Sequence, residues 1–118
     1  MLFRSTALEH HRRALAIARE LGDQQTEIPV LNNVGETLRL MGAPERAADL
    51  HQQALALAED HGEPYERARA LAGIADAHYA LDHRDSALRQ LRRALALYTE
   101  LGTPEAAAIR VQLAGWDG

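Results

Sequence analysis

The segment Ala7-Leu8-Glu9-His10-His11-Arg12-Arg13-Ala14-Leu15-Ala16-Ile17 returns 40 residues later as Ala47-Ala48-Asp49-Leu50-His51-Gln52-Gln53-Ala54-Leu55-Ala56-Leu57. After the same interval it returns again as Ala87-Leu88-Arg89-Gln90-Leu91-Arg92-Arg93-Ala94-Leu95-Ala96-Leu97. Gly22, Gly62 and Gly102 follow the three copies at one offset. A fixed period of this length, with small and large apolar residues held in register, marks a helical solenoid. No single unit can bury its apolar face alone, so each stacks on its neighbours.

Apolar residues recur at helical spacing throughout, and strand-like alternation is absent. The spacing predicts six helices, roughly 5–21, 26–41, 45–60, 65–81, 84–101 and 104–116. Gly22, Gly42, Gly62 and Gly102 sit just past helix ends, where a left-handed residue is easiest for glycine. Asp82 stands at Gly42's repeat position, so the fourth helix must end at greater strain. Pro44, Pro64 and Pro104 fall at the starts of following helices, where proline is tolerated. Pro29 conflicts with an early start of the second helix, which is therefore expected to begin late with Thr26 as N-cap, or else to kink. Connections of two to five residues make neighbouring helices antiparallel. Leu55 and Leu95 are expected in the core.

The 23 alanines suit helices that approach closely. All 13 basic residues are arginine, and the arginine and alanine usage is that of a GC-rich genome. A net charge of −4 argues against nucleic acid, whose phosphates need clustered basic residues. The doublets Arg12-Arg13 and Arg92-Arg93 read as a solvated outer face, because acidic residues are interleaved with them. Cysteine is absent, which removes disulfides and thiolate metal sites. No apolar run approaches the roughly 20 residues of a membrane span, and no leader pattern opens the chain. The chain therefore reads as soluble and cytoplasmic.

The six histidines do not make a metal-binding pattern. His10 and His11 point about 100° apart around a helix. His11 and His51 share a repeat position with Leu91, which indicates packing. His78 replaces the large residue seen at Leu38, so a half-buried imidazole with a depressed pKa is expected there. No nucleophile elbow, phosphate loop or carboxylate pair is present. Neither enzymatic activity nor a cofactor or metal is expected.

Leu31-x-x-Val34-Gly35-x-x-Leu38, followed by Ala47, His51 and Ala54, resembles the tetratricopeptide repeat, as do Leu71, Ile74, Ala75 and His78 followed by Ala87, Leu91 and Ala94. Val111, Ala114 and Gly115 begin a further unit. The chain lacks the family's proline near the end of the second helix, and its period is 40 rather than about 34. The longer variety is similar to the repeats of cell-polarity adaptors. It also resembles the C-terminal arrays of bacterial antibiotic-regulatory transcription factors. Leu31-Asn32-Asn33-Val34-Gly35-Glu36 and the segment from His51 to Ala58 are especially similar to the latter.

The resemblance implies an all-α right-handed superhelix. A half repeat (5–21, a second helix) precedes whole repeats at 26–60 and 65–101, and a first helix at 104–116 follows. This arrangement reads as a fragment of a bacterial transcriptional regulator. The resemblance also implies that first helices line a concave groove for a peptide or partner protein. By register, Asn32, Asn33, Glu36, Arg39, Arg69, Ala72, Gly73, Asp76, Tyr79, Gln112 and Trp116 line it. Asn33 falls where long-repeat relatives place an asparagine that pairs with a peptide backbone. Arg39 and Arg69 are the candidates for holding a carboxylate, set against pairing of Glu36 with Arg39 along one helix. Two other readings are head-to-tail self-association through the terminal half repeats and a sensor of a small peptide or metabolite.

Overall fold

A computed structural model of the chain describes residues 2–117, with side chains from residue 6. Six helices follow one another: α1 (Leu2–Glu20), α2 (Gln24–Leu40), α3 (Pro44–His61), α4 (Pro64–Ala80), α5 (Arg84–Leu101) and α6 (Glu105–Asp117). No strand occurs among the described residues. The fold is all-α, as the periodicity implies.

One turn design joins the helices. At the end of α1, Gly22 N–H donates to Arg19 O and Asp23 N–H to Ala18 O. The same pair of bonds recurs with Gly42 and Ala43, Gly62 and Glu63, Asp82 and His83, and Gly102 and Thr103. These bonds satisfy carbonyls that the helix itself leaves open. The turn needs a left-handed residue, and glycine supplies it four times at φ between 63° and 80°. Asp82 supplies it once, at φ 64°, as the residue that breaks the glycine register. In the first four turns the residue after the left-handed one is already the N-cap of the next helix. Consecutive helices must therefore reverse and lie side by side.

This turn overturns the late start expected for α2. Asp23 caps the helix: its Oδ1 accepts the Thr26 N–H at 3.1 Å, and its Oδ2 accepts the Thr26 hydroxyl at 2.6 Å. Thr26 lies inside the first turn, and Pro29 sits within the helix. The proline ring removes the bond to the carbonyl of Gln25, an exposed residue that water can serve. At α3 and α4 no side chain caps the end, and Pro44 and Pro64 begin the helices with one fewer N–H to satisfy.

Helix-to-helix burial supplies the core. Leu31, Leu38, Leu71, Leu91 and Ile28 are almost fully buried, as are Ala47, Ala54, Ala58, Ala68, Ala75, Ala87 and Ala94. Leu55 and Leu95 are only half-buried at the cluster edges, so the main packing falls one helical turn away, on Leu91 and the alanines. Each helix packs on the next, and α2 also approaches α4 backbone to backbone. The pairs α1–α3 and α3–α5 make no such approach, so the stack curves with α2 and α4 on its inner side.

A specific plug sets the α2–α4 approach. The His51 imidazole projects from α3 between Gly35 of α2 and Gly73 of α4. A methyl group on either glycine would come within 2.5 Å or 2.3 Å of His51 Nε2. One repeat later the same positions hold Leu91, Ala75 and Leu113, all buried in one cluster. These larger groups hold the α4 and α6 backbones apart, and the two helices meet through side chains.

Candidate functional site

The inner side of the curve carries α2, α4 and α6, and a pocket of about 490 Å³ opens where α4 and α6 stand apart. Arg39 of α2, Asp76, Tyr79 and Ala80 of α4, and Gln112 and Trp116 of α6 line it. Tyr79 and Trp116 stack with centroids 4.2 Å apart and planes 4° from parallel. Arg84 of α5 donates to the Trp116 carbonyl, and Arg92 lies 3.6 Å from Asp117, so the end of α6 is tied to α5. Gln112 Nε2 donates to Asp76 Oδ1 at 2.6 Å. Burial raises the Asp76 pKa; the Gln112 bond and the Arg39 charge oppose that shift, and Glu36 adds to it.

A polar network lies beside the pocket. Arg69 of α4 donates to Glu36 at 2.8 Å, Asn33 at 2.9 Å and Glu66 at 3.0 Å. Burial works against the Arg69 charge, but Glu36 and Glu66 outweigh it and raise the pKa further. Asn32 Nδ2 donates to the Glu66 carbonyl at 3.1 Å and to Glu66 Oε1 at 3.0 Å. Asn32 Oδ1 thereby faces His51 Nδ1 at 2.8 Å. An amide oxygen only accepts, so neutral His51 carries its proton on Nδ1. Burial drives the His51 pKa down to about 4; Glu36 opposes that shift, and Arg69 and Arg39 add to it. The chain Glu36–Arg69–Glu66–Asn32–His51 thus connects the groove surface to the plug that spaces α2 and α4.

These positions lie in an α–α repeat whose first helices face inward. The tetratricopeptide repeat family profile matches residues 5–60, covering α1 beyond its first turn, α2 and nearly all of α3. No curated protein matches the chain. The all-α fold of six helices is consistent with a helical repeat of the tetratricopeptide type. Tetratricopeptide repeats are non-catalytic units that generally mediate protein–protein interaction. Among the described residues no helix is long and apolar enough to cross a membrane, and no cluster of three metal-ligating side chains occurs.

Ten of the eleven expected groove residues separate into three groups, and the other, Ala72, packs half-buried against the core. Arg39, Asp76, Tyr79, Gln112 and Trp116 come together in the pocket. Asn33, Glu36 and Arg69 come together in the adjoining network. Asn32 does not line the groove: it is fully buried, because its register points it toward α3 and the His51 ring. Gly73, also expected on the surface, is buried against the same ring. Arg69 is occupied by three partners, so it does not form a carboxylate clamp with Arg39, and Glu36 pairs with Arg69 rather than with Arg39.

Sequence reasoning took His51 as packing only and missed its bond to Asn32. The signal was present, since an imidazole at the position of Leu91 coincides with glycines at 35 and 73. His78 is half-buried as expected. It lies 2.7 Å from Ser86 Oγ, and burial, then His83 and Arg89, lower its pKa. Arg12, Arg13, Arg92 and Arg93 are all exposed on α1 and α5, which do not line the groove, and Arg92 reaches Asp117 at the end of α6.

Proposed function

We propose that the inner face of α2, α4 and α6 binds a peptide or partner-protein segment, with the Tyr79–Trp116 pocket as its anchor point. The carrying observation is the pocket itself: a stacked aromatic pair beside a fixed carboxylate–amide pair, on the inner side of a repeat stack. Aromatic anchors in pockets concentrate binding energy in a few residues. The adjoining Arg69 network is already hydrogen-bonded, so little ordering is needed there on binding. Asn33 has spent its carbonyl on Arg69, and its amide N–H groups are the donors it would offer a peptide backbone.

The test is selection from a displayed peptide library, followed by calorimetry on the selected peptides. Binding should weaken at least tenfold for Tyr79→Ala or Trp116→Ala and stay unchanged for the Arg12→Ala/Arg13→Ala variant on α1. Peptides whose affinity ignores both aromatic substitutions refute the reading.

The similarity of residues 31–36 and 51–58 to regulatory arrays supports a bacterial transcriptional regulator as the parent. In that setting the array docks a partner and restrains other domains. A second reading, self-association, draws on the exposure of Ile17 (55 %), Leu21 (75 %) and Val111 (74 %) on and beside the terminal helices. Mass rising with concentration in light scattering supports it; a constant mass near 13.0 kDa rejects it.

A further inference from the structure

The pocket's fixed chemistry is anionic and aromatic. Asp76 is held by Gln112 through Oδ1, and no bond from the described residues occupies its other oxygen. Burial already opposes the Asp76 charge, so an incoming cation restores what desolvation removed. Tyr79 and Trp116 both line the pocket; stacked on each other, each keeps one outer face clear of its partner, and aromatic faces attract cations within about 6 Å. The nearby carboxylates Glu36 and Glu66 are matched to Arg69, which leaves Asp76 without an ion-pair partner within 4 Å among the described residues. The one positive lining group, Arg39, is exposed at the end of a long flexible side chain and can swing into water as a ligand enters. Asp76 and the aromatic pair are held in place by their neighbours.

We propose that this pocket is a subsite for a positively charged side chain of the partner, an arginine. Its guanidinium would pair with the open Asp76 oxygen and lie against an outer face of the Tyr79–Trp116 pair. A planar guanidinium both stacks on aromatic faces and bonds carboxylates. This inference rests on the interaction reading above and narrows it to a ligand chemistry. Arg39 opposes the ligand's charge, so its removal strengthens binding. That sign separates a cation subsite from an anion subsite, where the loss of Arg39 weakens binding.

Trp116 is the sole tryptophan, so its indole N–H resonance reports this pocket alone. The probes are three capped tripeptides, Ala-Arg-Ala, Ala-citrulline-Ala and Ala-Glu-Ala, each titrated into the full chain. Citrulline keeps the shape of arginine without its charge. The arginine peptide should shift the indole saturably and bind at least tenfold more tightly than the citrulline peptide, and the glutamate peptide should bind most weakly. Asp76→Asn, which keeps an oxygen for Gln112, should remove the preference for arginine over citrulline. Arg39→Gln should increase arginine-peptide affinity severalfold. Equal arginine and citrulline affinities, or a preference for glutamate, overturn the subsite. So does an arginine preference that survives Asp76→Asn. If a library-selected peptide shifts the indole while the arginine probe shows no preference, the subsite fails and the interaction reading stands. If neither shifts it, both fail.

Discussion

Acid should unfold this protein partly through His51. The ring is 1 % exposed, wedged between Gly35 and Gly73, and donates from Nδ1 to Asn32. Its pKa falls from 6.5 to about 4 on folding, chiefly through burial. Between those values the unfolded chain binds a proton that the folded chain refuses, so stability drops as pH falls below 6.5. Each pKa unit is worth about 1.36 kcal/mol. Between pH 7.5 and 4.5 this one group therefore removes about 2.5 kcal/mol, a large share of a small domain's stability. The loss ends once pH falls below about 4, where the folded state also binds the proton. His51→Asn keeps an N–H donor for Asn32 and removes the titration, at the cost of a cavity. Urea unfolding of both proteins at several pH values isolates the effect, since other titrating groups are common to both. The wild-type curve should converge on or cross that of the variant as pH falls. Parallel curves, with a gap constant to about 0.5 kcal/mol, would refute the buried neutral imidazole. His78 acts in the same direction, so any slope shared by both curves should shrink on His78→Gln.

Other outcomes follow from single contacts. Gly73→Ala places a methyl 2.3 Å from His51 Nε2 and should cost about 1–3 kcal/mol. In a His51→Ala background the same change should be neutral or stabilising, since alanine favours a helix by up to about 1 kcal/mol; additive effects in the double-mutant cycle reject the plug. Asp82→Gly relieves a left-handed aspartate and should stabilise by about 0.5–1 kcal/mol, read as a raised Tm; an unchanged or lowered Tm counts against the repeated turn design. Pro29→Ala restores a helical N–H and should stabilise by about 1–3 kcal/mol in urea unfolding, whereas a loss of stability means that the proline ring packs productively.

The period made the fold legible. A strict 40-residue register placed the helices and their glycine turns and singled out Asp82 as the exception. The start of α2 was misplaced because proline propensity was weighed without the turn before it. That turn, closed by Gly22 and Asp23, already delivers an N-cap, and the geometry outweighs one missing hydrogen bond. The pocket was legible as a set of register positions, yet its depth was not. It depends on the α4–α6 spacing, which Ala75 and Leu113 set through packing that no single helix reveals. Asn32 was misread because its register equivalent Gln112 does line the pocket, whereas at position 32 the glycine-lined space occupied by His51 offers the amide a buried polar contact. Arg69 looked available from its own helix, while its partners Asn33 and Glu36 belong to α2, the first helix of the preceding repeat.

Amide chemical-shift mapping on the isotopically labelled chain, with a library-selected peptide, tests the central claim most directly. The account predicts saturable shifts confined to the inner faces of α2, α4 and α6, strongest at Tyr79 and at the Trp116 indole. Shifts concentrated on the outer faces of α3 and α5, with the Trp116 indole unmoved, would contradict it.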